Sequence, residues 1–119
     1  MSRYIIEKDH VITINRGDFL EKKLKLTTGK FPHEKLLEIG EHDIIFFGLM
    51  DPHQHFEHSL IKKEFDKTDF DEEGLFVLTL ESEETLDLVP GTYYYSLKLL
   101  NEEAEIRTLI QKSKFIIVD

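Results

Sequence analysis

A Pro-Gly turn leads directly into a run of β-forming residues in the stretch Pro90-Gly91-Thr92-Tyr93-Tyr94-Tyr95-Ser96-Leu97-Lys98-Leu99. Successive side chains of a strand point to opposite faces, so Tyr93, Tyr95, Leu97 and Leu99 share one face. A tight turn followed by a long strand with one aromatic and aliphatic face is typical of a β-sandwich. The stretch therefore predicts an all-β architecture, and it indicates almost nothing about chemistry.

Short runs of β-forming residues recur along the rest of the chain, with turn residues between them. The runs cover residues 4–6, 11–14, 20–27, 44–50, 60–65, 75–80, 106–110 and 115–118. Residues 44–50 are apolar on both faces, which predicts a central strand, and the charged run 60–65 predicts an edge strand. One helical turn is expected within residues 81–88. The pattern predicts one domain, residues 1–119, built as an antiparallel β-sandwich of about seven to nine strands.

Composition limits the classes of partner. The chain has 119 residues, 40% of them hydrophobic, and a net charge of −9. Nucleic acids and anionic membranes are bound through clustered Lys and Arg, so this charge disfavours both kinds of partner. The chain has no cysteine, which excludes disulfides and thiolate metal ligands. Residues 1–7 lack the apolar run of a signal peptide, which predicts synthesis and first folding in a cytoplasm.

A histidine-rich segment, Asp51-Pro52-His53-Gln54-His55-Phe56-Glu57-His58, is a candidate metal site. His53 and His55 would point the same way on an extended segment, and His58 and Asp51 could complete a nitrogen and oxygen site for zinc or nickel. The segment lies in a predicted loop, however, where nothing fixes the ligand geometry. The sequence therefore favours a solvated loop, and no metal or other cofactor is expected.

Catalytic chemistry has little support in the sequence. Carboxylate pairs such as Asp69/Asp71 and Glu83/Glu84 fall in polar turns, where nothing raises a pKa towards that of a general acid. Neither a nucleophile elbow nor a glycine-rich phosphate loop is present. We therefore expect a protein that is not an enzyme. Tyr94 is the one tyrosine of residues 93–95 expected to point outward, and a single ring is not a platform for stacking sugars.

The order of several short motifs along residues 10–119 resembles that of a group of phage proteins. The motifs are Asn15-Arg16-Gly17-Asp18, Gly40-Glu41-His42-Asp43-Ile44-Ile45-Phe46-Phe47-Gly48-Leu49-Met50-Asp51-Pro52, Leu88-Val89-Pro90-Gly91-Thr92-Tyr93-Tyr94-Tyr95, Arg107-Thr108-Leu109 and Lys114-Phe115-Ile116-Ile117. They are similar to the immunoglobulin-like N-terminal domains of phage baseplate upper proteins and related small tail-associated proteins of phages and prophages. The resemblance implies an immunoglobulin-like sandwich, and it implies neither catalytic residues nor a cofactor.

The function implied by the resemblance is assembly. We expect a structural protein that is synthesised in the bacterial cytoplasm and is virion-associated after assembly. Its expected partners are other phage structural proteins or further copies of itself. The residues predicted to be exposed and apolar at such an interface are Met50, Phe56, Phe70 and Tyr94. The alternative is a carbohydrate-binding or adhesion module. Arg16-Gly17-Asp18 matches an integrin-binding tripeptide, although its position before a strand favours a simple turn.

Overall fold

The computed structural model describes residues 10–29 and 32–119, so the run predicted at residues 4–6 lies outside the described residues. The described part of the chain is mostly β, as the sequence predicts. Its strands are β1 Ile12–Asn15, β2 Leu20–Leu24, β3 Thr27–Thr28, β4 Lys35–Leu36, β5 Ile44–Met50, β6 Ile61–Phe65, β7 Phe76–Leu80, β8 Gly91–Leu100 and β9 Ile106–Val118. Helix α1 is Ser82–Leu86, and 3₁₀ turns lie at Phe56–His58 and Lys67–Asp69.

Five of these strands form one sheet in the order β1-β9-β8-β5-β6, while β2 pairs with β7 and β3 with β4. Neighbouring strands are antiparallel except for β1, which runs parallel to β9 with Ile12 opposite Phe115. The predicted antiparallel arrangement is therefore wrong for β1. Strand β1 lies at one edge of the five-stranded sheet. The chain then turns towards β2 at Gly17, whose φ is +83°. A positive φ of this size favours glycine because it has no Cβ.

The hydrophobic core lies between the five-stranded sheet and the β2–β7 pair, and both contribute to a single cluster of buried side chains. The ring of Tyr95 sits between the rings of Phe47 and Phe115, with centroids 5.7 and 6.1 Å away. Phe65 of β6 meets Phe76 of β7 edge to face at 5.2 Å. Aromatic pairs at these distances add to the stabilisation from burying apolar area. The rings therefore join the two sheets.

The inward face of β8 is as predicted, since Tyr93, Tyr95 and Leu97 are only 7%, 0% and 0% exposed. Each tyrosine hydroxyl finds a backbone acceptor. Tyr93 donates to the carbonyl of Val89, in the turn before β8, and Tyr95 donates to the carbonyl of His10. Burial raises the pKa of both phenols, so both hydroxyls stay protonated donors at neutral pH. The Pro-Gly corner is thus fastened by a side chain of the strand that follows it.

Helix α1 confirms the helical turn expected within residues 81–88. The side chain of Glu84 accepts the backbone N–H of Glu81 at 2.9 Å, which satisfies a donor at the start of the helix. Thr85 is fully buried, and its hydroxyl accepts the N–H of Gly17 at 3.0 Å. The helix therefore holds the turn between β1 and β2. In residues 10–29 and 32–119, the helices are too short to cross a bilayer.

Strand β6 confirms the predicted edge, because it ends the order of the five-stranded sheet. Lys63 lies between the buried residues Ile61 and Phe65 and is on their inward side. Its ammonium group donates to the carbonyl of Thr79 at 2.9 Å and to Glu84 at 3.0 Å. An inward-pointing charge on an edge strand discourages the addition of another strand. The same contacts tie β6 to β7.

Strand β9 differs from the prediction, which separated residues 106–110 from residues 115–118. The structure has one strand of 13 residues. Two register shifts against β8 give β9 extra residues, and Lys112 takes a φ of +45° at one of them. The N–H of Lys112 donates to the hydroxyl of Ser96 at 2.9 Å. A bulge absorbs unpaired residues without ending the strand, so the polar stretch in the middle of β9 was wrongly interpreted as a break.

Candidate protein-interaction surface

One face of the five-stranded sheet points away from β2 and β7, and we call it the outer face. Its side chains alternate with those of the core, because neighbouring residues of a strand point in opposite directions. The outer-face residues are Lys62 and Glu64 on β6, Ile44, Phe46, Gly48 and Met50 on β5, Thr92, Tyr94, Ser96, Lys98 and Leu100 on β8, and Ile106, Thr108, Lys114 and Ile116 on β9.

The connection between β5 and β6 folds back over the middle of the outer face. A Cβ atom at Gly48 would lie 2.4 Å from the hydroxyl oxygen of Ser59 and 2.7 Å from the ring of Phe56. Lys98 covers the same ring, with its ammonium nitrogen 4.6 Å from the centroid, which is a cation–π contact. Met50 is fully buried. The absence of a side chain at Gly48 therefore lets the connection pack directly on the backbone of β5.

Apolar side chains form a line across one end of the outer face. Ile44 lies opposite Leu100, and Leu100 lies opposite Ile106, so the line crosses three adjacent strands. We call these three residues the apolar row. Ile44 and Leu100 are half-buried, whereas Ile106 is 68% exposed. Phe46, the next outer residue of β5, is also half-buried. Large exposed apolar patches rimmed by polar residues mark contact surfaces for other proteins, and the row is a small feature of this kind whose exposed member is Ile106.

The two sides of the apolar row carry opposite charges. On one side lie the turns at residues 40–43 and 101–105, which we call the acidic turns, with Glu41, Asp43, Glu102, Glu103 and Glu105. On the other side is a region that we call the basic side. Its basic residues are Lys62, Lys98, Lys112 and Lys114, and its acidic residues are Glu64 on β6 and Glu57 in the connection between β5 and β6. The outer face is therefore polarised along its strands.

The structure places the four predicted interface residues in different surroundings. The prediction that Met50 is exposed is wrong, because its side chain is 0% exposed. Phe56 and Tyr94 are half-buried on the outer face, and Tyr94 lies opposite Met50. Phe70 lies elsewhere, with its ring 5.5 Å from that of Phe76 at the margin of the core. Two of the four residues thus belong to the candidate surface.

The histidine segment lies in the connection that covers the outer face. His53 is in a turn, His55 precedes the 3₁₀ turn Phe56–His58, and all three predicted histidines are exposed. Among the residues that the structure describes, no three His, Asp or Glu side chains are grouped so that they could hold a metal ion. The segment thus has the geometry of a solvated loop.

The carboxylates of the polar turns make structural contacts. The N–H of Leu75 donates to Asp71 at 2.9 Å and holds the pKa of this carboxyl below its ordinary value. Lys23, 3.1 Å from the second oxygen of Asp71, acts in the same direction. A lowered pKa keeps the carboxylate ionised, whereas a general acid requires a raised one. Asp71 therefore fastens a turn.

Sequence reasoning missed the apolar row, because its members come from three separate strands and only the register brings them into line. Comparisons of the chain with protein-family profiles, curated proteins and solved structures find no match.

Proposed function

We propose that this protein is an immunoglobulin-like β-sandwich that serves as a non-enzymatic structural component of a phage or prophage tail or baseplate. In this proposal it acts by contact with other protein subunits, and the contact surface is the apolar row of the outer face. The phage assignment depends on the order of the short motifs along residues 10–119. The contact surface depends on the register of β5, β8 and β9.

The strand order supports the immunoglobulin-like arrangement. In immunoglobulin domains, strands G, F, C and C′ form one sheet, and strands B and E lie in the other. Here β9, β8, β5 and β6 are adjacent in that order, and β2 pairs with β7. Immunoglobulin domains also carry a tyrosine at the corner before strand F, whose hydroxyl bonds to the backbone a few residues earlier. The bond from Tyr93 to the carbonyl of Val89 has this form.

The exposure of Ile106 is the observation that carries the contact function. A β-branched apolar side chain that is 68% exposed lies in line with two further apolar residues, between the acidic turns and the basic side. Covering it with a partner would remove apolar area from water, at about 25 cal/mol per Å². Tyr93 and Tyr95 are buried, so the tyrosine run offers no stacked platform that would favour the carbohydrate-binding alternative.

Incorporation into tail particles tests this proposal. The bacterium that encodes the chain is induced, tail particles are purified, and the protein is quantified in them by mass spectrometry. We expect the protein at a fixed ratio to other tail proteins, and we expect Ile106→Glu to reduce that ratio at least tenfold. Val89→Glu is the matched control, because Val89 is also β-branched and is 74% exposed, but lies before the opposite end of β8.

Each outcome bears on a separate part of the proposal. Wild-type protein that is absent from the particles overturns the tail assignment. Incorporation of Ile106→Glu at the wild-type ratio overturns the apolar row as the contact surface. Loss of both variants would show that the effect is not specific to the apolar row, which also removes the row from the proposal.

A further inference from the structure

The charges beside the apolar row suggest what could cover it. Along β8, Lys98 is the next outer-face residue on the basic side of the row, whereas Glu102 and Glu103 follow β8 on the other side. The row is therefore a boundary between negative and positive regions of one surface. A partner of a single charge would be attracted by one side and repelled by the other.

A second copy of the same surface can place a positive region opposite the negative side of the row and a negative region opposite the positive side. Whether it does so depends on the direction of the symmetry axis. Consider two outer faces packed against each other, with a twofold axis between them that runs along the apolar row. This rotation places row on row and exchanges the two sides, so that each acidic turn faces the basic side of the other copy. An axis along the strands would instead place acid on acid. Isologous contacts of this kind are the commonest in soluble oligomers.

We infer that the outer face is a self-association surface, on which two copies pack row against row about a twofold axis along Ile44, Leu100 and Ile106. The inference rests on the proposed use of the apolar row as a contact surface, and it names the partner as this chain itself. The connection over Gly48 limits the overlap to one end of the sheet. Because small interfaces give weak complexes, we expect a reversible dimer.

Sedimentation velocity over a range of protein concentrations measures this association. Ile106→Glu would place two like charges in the covered row, so the dimer dissociation constant should rise at least tenfold, while Val89→Glu should leave it unchanged. Glu103→Lys alone and Lys98→Glu alone should each weaken the dimer, since each places like charges opposite one another. An equimolar mixture of these two variants restores opposite charges at both contacts, and should therefore dimerise more tightly than either variant alone.

The mixture makes the test independent of effects on folding, because a misfolded variant would not gain affinity from its partner. Wild-type protein that remains monomeric at its highest soluble concentration overturns the inference. A dimer that Ile106→Glu leaves intact, or a mixture no tighter than its components, does the same. Particle incorporation is measured separately. A monomer found in tail particles contradicts self-association alone, and a dimer absent from particles contradicts the tail assignment alone.

Discussion

Replacing Gly48 by alanine tests how the connection between β5 and β6 packs on the outer face. The added Cβ would lie 2.4 Å from the hydroxyl oxygen of Ser59 and 2.7 Å from the ring of Phe56. Both distances are about 1 Å below ordinary van der Waals contact. The Ser59 hydroxyl donates to the carbonyl of Phe56 at 2.5 Å, so it cannot rotate away without losing this bond. The connection must therefore shift away from the sheet.

The magnitude follows from two opposing effects. Overpacking a well-packed site costs about 1–3 kcal/mol. Alanine is favoured over glycine inside a strand by about 0.5–1 kcal/mol, because it has less conformational entropy to lose. The difference between these effects is a loss of about 0–2.5 kcal/mol. Because the added Cβ would have contacts as short as 2.4 Å, we expect Gly48→Ala to lower the free energy of unfolding by about 1–2.5 kcal/mol, in the upper part of this range. Hydrogen exchange should rise at Leu60, whose N–H donates to Leu49 at 2.7 Å where the connection meets β6.

Urea unfolding with matched variants checks this reasoning. Gly40→Ala is the control, because its Cβ would meet nothing closer than 3.6 Å, and we expect a change within about 0.5 kcal/mol. Ser59→Ala removes the hydroxyl oxygen that would lie nearest to the added Cβ. Gly48→Ala should therefore lower the free energy of unfolding less in a Ser59→Ala background than in the wild type. Equal stability of Gly48→Ala and Gly40→Ala, or no coupling to Ser59, would refute direct packing of the connection on β5.

Two further predictions concern the corner before β8 and the turn that contains Asp71. Tyr93→Phe removes the bond to the corner carbonyl and should cost about 1 kcal/mol by urea unfolding, while Tyr94→Phe on the outer face should change stability by less than about 0.5 kcal/mol; equal losses would contradict the corner contact. Because the folded pKa of Asp71 is lowered, its stabilisation is complete above the unfolded pKa of about 4 and is lost as the pH falls through the folded value. Asp71→Asn should therefore have a lower free energy of unfolding than the wild type in urea at neutral pH, and this difference should shrink below about pH 4. A difference that stays constant down to about pH 2 would argue against this reasoning.

The candidate surface illustrates which features a linear pattern cannot supply. Phe56 and Tyr94, predicted to be exposed at an interface, are half-buried on the outer face, and their part in an interface stays a prediction. Met50 was misassigned, because it is fully buried although it lies on the outer face, where the connection packs against Gly48 two residues earlier. Ile106 follows an acidic turn and gives no local signal. Its importance depends on Leu100 and Ile44, which are its neighbours only across the sheet.

Local patterning was sufficient for the class of fold and for the main strands. Alternation along β8, the apolar run of β5, the charged edge of β6 and the helical turn at α1 all depend on neighbouring residues, whose spacing sets which face they share. The parallel pairing of β1 with β9, the continuity of β9 through its bulge and the polarised outer face were decided by the tertiary structure. Each depends on contacts between segments far apart in the chain, where register and packing determine which side chains meet.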